Sequence, residues 1–323
     1  MSKVAVTGGA GFLGSHIVRR VLDEGDEPLI IDDFSSGSVQ NLKDVGVALE
    51  CRRGDLKNYG FALKSLKGAD EVFHFAAEVG SVAYLHGSQE RELTTLQANM
   101  VIDANVFRAC RELGVKKLIY ASSVSVYPFD EQQGSHVSFK EEDSERKVNP
   151  EGGYGWSKYI AEKQLSMSEG ISYGVARIFH AYGKNIYLRP DRSQVIASLM
   201  SKAIRYPKED FVVWGNGTQR RCFVYIDDAV DALFRLREYI SKKGNLTVNV
   251  GTTEEHTVKE LAEMIIELSG KDIRMKFDRS KPSGALNRMP DLMRAKKTLG
   301  WTPQTNLRDG LDSTYEWALA RLG

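Results

Sequence analysis

A glycine-rich turn, Thr7-Gly8-Gly9-Ala10-Gly11-Phe12-Leu13-Gly14-Ser15-His16, directly follows the apolar run Val4-Ala5-Val6 and precedes a stretch of helical spacing near 12–24. A glycine-rich turn alone says little, and its context, with a strand before and a helix after, is what constrains the fold. Gly8, Gly11 and Gly14 match G-x-x-G-x-x-G, while Gly9, Gly11 and Gly14 match G-x-G-x-x-G. Glycines permit the tight turn, let the backbone approach a pyrophosphate, and allow close helix–strand contact, with the helix N-terminus facing the phosphates. Asp32 ends the next apolar run, Leu29-Ile30-Ile31, eighteen residues after Gly14. A carboxylate there accepts hydrogen bonds from the adenosine ribose hydroxyls and repels a 2′-phosphate. The sequence Ile31-Asp32-Asp33-Phe34-Ser35 offers no arginine to welcome NADP, so NAD is the expected cofactor. Asp55, after Arg53-Gly54, is placed to reach the adenine from the end of a third strand.

Further apolar runs predict strands at Val47-Ala48-Leu49, Val72-Phe73-His74-Phe75 and Lys117-Leu118-Ile119-Tyr120. Helical stretches fall near 57–67 and 91–113, the latter carrying Leu96, Val101, Ala104 and Phe107 at helical spacing. Strands separated by helices of this length indicate βαβ units and a parallel sheet covered on both faces. The expected fold is therefore α/β: a Rossmann-type doubly wound parallel sheet with a smaller α+β C-terminal substrate domain. Beyond residue 178 the alternation becomes irregular, except that 223–249 reads as one more helix and strand of the sheet. The expected division is 1–178 plus 223–249 for the NAD-binding domain and 179–222 plus 250–323 for the substrate domain. The Ser-, Glu- and Gln-rich stretch 129–150 is expected to be a surface excursion.

Composition narrows the function classes. A net charge of +1 over 323 residues gives no electrostatic reason to expect nucleic acid or an anionic membrane as partner. Cys51, Cys110 and Cys222 are scattered without CxxC spacing, so neither a disulfide framework nor a metal site is expected. No apolar run approaches the ~20 residues of a membrane span. The chain opens directly into a strand with no room for a signal peptide, and a cytoplasmic location is the expectation.

Tyr154-Gly155-Trp156-Ser157-Lys158 begins a predicted helix, with Tyr154 and Lys158 four residues apart on one face. A phenol with pKa near ~10 is a poor base at neutral pH. A nearby ammonium, with the positive charge of a nicotinamide, favours the phenolate and is expected to lower that pKa. Such a pair can take a hydroxyl proton while hydride leaves the carbon. Ser122-Ser123 follow the strand ending in Tyr120-Ala121, at the C-terminal edge of the sheet where ligands bind, and Ser123 can hydrogen-bond the same reacting oxygen.

These residues, with HFAAEVGS (74–81), RIFHAYG (177–183), WGNGTQRRCFVYIDD (214–228), NVGT (249–252) and LGWTP (299–303), resemble the extended short-chain dehydrogenase/reductase family. The resemblance runs over nearly the whole chain. It implies catalytic roles for Ser123, Tyr154 and Lys158. It implies cofactor contacts from Gly8, Gly11, Phe12, Leu13, Gly14, Asp32, Asp33, Asp55, Leu56, Ala76, Ala77, Asn99, Tyr154 and Lys158, with Asn99 supporting the site. A nucleoside-diphosphate sugar would be held by Glu78, Ser125, His180, Arg189, Arg221 and Arg288, the last two arginines on its diphosphate. The family also implies a homodimer, pairing the helices near 91–113 and 152–169.

Departures from the family's subgroups sharpen the expectation. Its 4,6-dehydratases carry Asp-Glu where this chain has Val124 and Ser125. Several segments are similar to the GDP-mannose 3,5-epimerase subgroup, which uses a cysteine at the Ser125 position and a lysine or histidine further on, where this chain offers Arg189. Serine and arginine are poor replacements in carbon-acid chemistry. Chemistry that needs only Tyr, Lys, Ser and NAD remains: epimerisation at C4 of a nucleoside-diphosphate sugar through a transient 4-keto intermediate. A ketosugar-nucleotide reductase, a 3,5-epimerase-like enzyme and a non-catalytic NAD-binding protein are the alternatives. His180 stands where the family usually has asparagine, and Cys222 replaces a common aspartate and is expected to be a buried, inert thiol.

Overall fold

The computed structural model of the chain describes residues 1–134, 137–190, 192–281 and 284–323. Seven parallel strands form one sheet in the order β7-β6-β5-β4-β1-β2-β3. They are β1 (Lys3–Thr7), β2 (Glu27–Asp32), β3 (Glu50–Arg53), β4 (Glu71–His74), β5 (Lys117–Ser123), β6 (Ser172–Ile178) and β7 (Leu246–Val250). Flanking helices are α1 (Phe12–Asp23), α2 (Tyr59–Leu66), α3 (Val82–His86), α4 (Gln89–Leu113), α5 (Gly152–Ser166), α6 (Val195–Arg205) and α7 (Ile226–Lys243). Along β1, Val4 and Val6 pack into one apolar cluster and Ala5 into another, so the sheet is covered on both faces. That double burial explains apolar strands without polar alternation.

The third predicted strand is displaced. Val47 is 59% exposed, and the strand forms instead at Glu50–Arg53, pairing with β2 in the register Leu29↔Glu50 to Asp32↔Arg53. As the sheet's edge it shows alternately half-covered and exposed side chains, so it needs no apolar run. The stripe predicted on α4 is also corrected: Val101 is 44% exposed, while the buried face carries Asn99, Ile102, Asp103, Val106 and Phe107. Asn99 and Asp103 can occupy this face because both find partners there. Asp103 receives His74 Nε2 at 2.9 Å and the Tyr120 hydroxyl at 3.0 Å. Ser88 caps α4 by accepting the Arg91 amide at 3.1 Å, and Gly114 ends it with φ +70°.

The 129–150 stretch is not a surface excursion. Phe139, Glu141 and Gln132 are buried, and Ser138–Phe139 pair with Met289–Pro290. Arg177, on β6, ties this stretch to the sheet. Its guanidinium holds the Glu162 carboxylate, with Nη2 to Oε2 at 2.6 Å, and donates to the Glu141 carbonyl at 2.7 Å and the Tyr127 hydroxyl at 3.2 Å. Buried polar groups of this kind persist because they are hydrogen-bonded. Helix α7 and strand β7 join the sheet as the 223–249 reading expects, β7 pairing with β6 from Leu246↔Gly174 to Val250↔Ile178. Among the described residues, no helix is long and apolar enough to cross a membrane.

Candidate active site

The neighbours of β1 are β2 on one side and β4 on the other, so the chain reverses its winding there and leaves a crevice at the C-terminal strand ends. A cavity of about 430 Å³ occupies it. Gly8, Gly11, Phe12, Leu13 and Gly14 form one end of its wall. Gly8 adopts φ +67°, and a Cβ on Gly14 would lie 2.1 Å from the Gly8 carbonyl oxygen, so helix and turn meet too closely for any side chain. Helix α1 begins without a side-chain cap, which leaves its first-turn amides for a ligand. Asp32 accepts the Ala10 amide at 2.9 Å and the Phe34 amide at 2.7 Å, and its remaining lone pairs can take ribose hydroxyls. Burial raises its pKa above the usual carboxylate range, against those two hydrogen bonds. Asp33, Asp55, Leu56, Ala76 and Ala77 also line the cavity. A glycine cradle, an uncapped helix and a two-sided carboxylate fit a dinucleotide.

Asn99 is not among the residues that line the cavity. It is fully buried behind the wall, spending its amide on the Glu78 backbone (2.7 and 3.1 Å) and on the Ser157 hydroxyl at 3.3 Å. It positions the Glu78 segment and α5.

Ser123, Tyr154 and Lys158 converge on the middle of the cavity. Helix α5 places Tyr154 and Lys158 one turn apart, and β5 ends with Ser123 beside the phenol. The expected lowering of the Tyr154 pKa is not found without a cofactor: burial pushes it up to about 12, and the Ser123 hydroxyl draws it only partly back. Burial also lowers the pKa of Lys158, whose ammonium donates to the Ala121 carbonyl at 2.9 Å and lies 5.8 Å from the Tyr154 ring centre. Desolvation disfavours both charges, outweighing the Ser123 hydrogen bond at Tyr154 and the Asp103 and Glu162 charges at Lys158. A phenol, a hydroxyl and an ammonium at one strand edge can move a proton to or from a bound hydroxyl.

Glu78, Ser125, His180, Arg221 and Arg288 line the other part of the cavity. Burial, then the neighbouring Arg288, lowers the Arg221 pKa to about 9. Two adjacent buried guanidinium groups make this end attractive to an anion. Arg288 is already engaged, with Nε donating to Gln132 Oε1 at 2.8 Å and Nη2 paired with Glu151. His180 sits at φ +46° against Phe223; burial, Arg221 and Arg288 push its pKa well below the usual imidazole range, so it is neutral at pH 7. Arg189 is a correction. It is exposed and is not among the residues that line the cavity, whereas Pro190 and Gln194 are. Cys222 is wholly buried with its thiol pKa raised to about 12 by desolvation, as an inert thiol should be.

Sequence reasoning missed Glu151 and Arg53. Glu151 lines the cavity three residues before Tyr154, and that i,i+3 spacing was the available signal. Arg53 stands opposite Asp32 in the sheet register, with its guanidinium 5.4 Å from the Phe34 ring centre. No scan of the residues following Asp32 could find it, because it arrives from the neighbouring strand.

Comparison with known proteins adds a family. Residues 4–251 match the model described as the NAD dependent epimerase/dehydratase family. GDP-mannose 3,5-epimerase 1 of Oryza sativa subsp. japonica is 31% identical over 318 residues, covering 98% of this chain and 81% of the rice protein. UDP-glucuronic acid decarboxylase 6 of Arabidopsis thaliana is 31% identical over 333 residues, 99% of this chain and 90% of that one. Among solved structures, UDP-glucose 4-epimerase of Thermotoga maritima with UDP-glucose superposes with a TM-score of 0.85 at 26% identity, covering 99% of this chain and all of that one.

Proposed function

Because the chain belongs to the NAD-dependent epimerase/dehydratase family, we propose that this enzyme inverts C4 of a nucleoside-diphosphate sugar through a transient 4-keto intermediate. NAD, when bound, supplies the hydride acceptor and donor. The glycine turn, the first-turn amides of α1 and Asp32 would hold it, in a unit made of 1–178 plus 223–249. The remainder, 179–222 plus 250–323, would hold the sugar nucleotide.

As the phenolate, the Tyr154 oxygen takes the proton from the sugar O4 and later returns it. Ser123 hydrogen-bonds the same oxygen, and Lys158 places positive charge beside the phenol. Arg221 holds the diphosphate, with Arg288 next to it. The observation that carries this reading is the Ser123–Tyr154–Lys158 cluster with Val124 and Ser125 beside it, where water-eliminating relatives need an acid and a base. The relatives' names, for GDP- and UDP-sugars, support a sugar nucleotide as substrate. The enzyme is proposed to act in the cytoplasm as a homodimer, using the exposed Leu93 and Val101 of α4 and Trp156 of α5.

Incubation with UDP- and GDP-hexoses without added cofactor tests the proposal. A C4-inverted sugar by NMR with no net NADH absorbance is expected. Stoichiometric consumption of added NAD(P)H with a ketosugar would make the enzyme a reductase.

Cofactor choice is a second expectation. Protein stripped of nucleotide should bind NAD(H) at least about tenfold tighter than NADP(H), a difference of about 1.4 kcal/mol, because Asp32 would face a 2′-phosphate with like charge. The preference should shrink as pH falls toward the raised Asp32 pKa, where the carboxyl loses its charge. Asp32→Ala should narrow it too. Equal or tighter NADP binding by titration at pH 8 would show that Asp32 does not read the ribose.

A further inference from the structure

The active site contains two hydroxyl–acid pairs side by side, and the proposed C4 chemistry uses one. Ser123 partners Tyr154. Two residues further on, Ser125 Oγ donates to Glu151 Oε2 at 3.0 Å, while the Glu151 amide donates to the Ser125 carbonyl at 2.9 Å. The Ser125 amide in turn donates to Ser123 Oγ at 3.2 Å, so the two pairs are joined. Close contact makes this possible: a Cβ on Gly155 would lie 2.3 Å from the Ser125 carbonyl oxygen.

Glu151 is built as a functional carboxylate. Its side chain is only 7% exposed, yet it lines the cavity with Tyr154 and Ser123. Oε2 takes both Ser125 and Arg288. Oε1 makes no hydrogen bond among the described residues, and it is not among their sealed, unpartnered polar atoms. Oε1 is thus the oxygen of this cavity-lining carboxylate that neither Ser125 nor Arg288 occupies. The groups around Glu151 are Arg288, His86 and Ser125; burial works against the charge, and Arg288 and then His86 outweigh it to keep the carboxylate ionised at neutral pH. Glu151 is the N-cap residue of α5, three positions before Tyr154, and both side chains line the cavity.

We propose that Glu151 is a second proton acceptor of this site, acting on a ring carbon next to the keto centre that the Tyr154 chemistry creates. The inference rests on the reading that the enzyme oxidises C4. The C–H proton passes to Glu151 Oε1. Its bonding electron pair forms the C=C bond of an enolate, and the former ketone oxygen carries the charge, hydrogen-bonded by Ser123 and Tyr154. Return of a proton from Glu151 restores the ketone, and no electron is gained or lost. A single carboxylate works from one face, so the outcome is exchange of that hydrogen with solvent and retention of configuration there. The base in this account lies behind position 125, so a serine at that position does not remove the chemistry.

The test is turnover of sugar nucleotide by the whole enzyme in D2O, with deuterium located by NMR. Wild-type enzyme should place deuterium at C3 or C5. In Glu151→Gln the ratio of that exchange to C4 oxidation, followed at the NADH band, should fall by about 10²–10⁴-fold, with partial recovery in Glu151→Asp. C4 inversion by wild type without deuterium at C3 or C5 would overturn this inference and leave the C4 reading standing, whatever the folding of the variants. An exchange ratio within tenfold of wild type in Glu151→Gln would also overturn it. Failure of wild type to change any sugar nucleotide would remove both.

Discussion

Replacing Tyr154 by phenylalanine is expected to lower turnover by about 10²–10⁴-fold, the usual contribution of a positioned acid–base group. The ring stays, so packing around α5 is preserved, and only the hydroxyl that exchanges a proton with the substrate is lost. The lost hydrogen bond should cost about 0.5–1.5 kcal/mol of stability. NAD binding should persist, since the glycine turn and Asp32 are untouched. The pH profile gives a second readout. With burial holding the phenol near pKa 12 in the free protein, the phenolate fraction and the rate should rise with pH in wild type. That rise should vanish in Tyr154→Phe. A variant that keeps more than about a tenth of the wild-type rate would mean that Tyr154 is not the base.

The largest effect on stability is expected at Arg177. Its side chain is 4% exposed and holds Glu162, the Glu141 carbonyl and the Tyr127 hydroxyl together. Tyr127 in turn donates to Asn249 Oδ1 at 2.5 Å, which draws β7 into the same network. Arg177→Met removes one partner of a buried ion pair and leaves the Glu162 carboxylate, among the described residues, with only Ser122 (2.5 Å) in hydrogen-bond contact. Breaking a buried pair in this way costs about 3–5 kcal/mol. Urea unfolding should show that loss. Arg177→Met combined with Glu162→Leu should be less destabilised than the sum of the single changes, because the second replacement removes the stranded charge. A loss below about 1 kcal/mol for Arg177→Met alone would show that the 127–150 segment is not anchored through this residue.

What could be read from the chain was what local chemistry dictates. Gly8, Gly11 and Gly14 announced their turn because a Cβ on Gly14 would lie 2.1 Å from the Gly8 carbonyl oxygen, which only glycine avoids. Asp32 was legible from its distance to that turn, and Tyr154 with Lys158 from helical spacing. What could not be read depends on residues far apart in sequence. Glu151 matters because Arg288, 137 residues away, pairs with it. The 129–150 stretch looked like a surface excursion because the buried Glu141 is held by Arg177 and Asn249, which no local window contains. On α4, the buried face holds Asn99 and Asp103, so an apolar stripe was the wrong signal. Arg189 is exposed and outside the cavity lining, which its place in the sequence did not show.

The claim that hydride leaves C4 and returns to the same carbon from the opposite side is tested most directly with a sugar nucleotide deuterated at C4. After turnover in ordinary water, the inverted product should keep its deuterium at C4, because the label leaves and returns within one closed site. Loss of the label to solvent from C4 of the inverted product, or product in which C4 keeps both its label and its original configuration, would contradict the account.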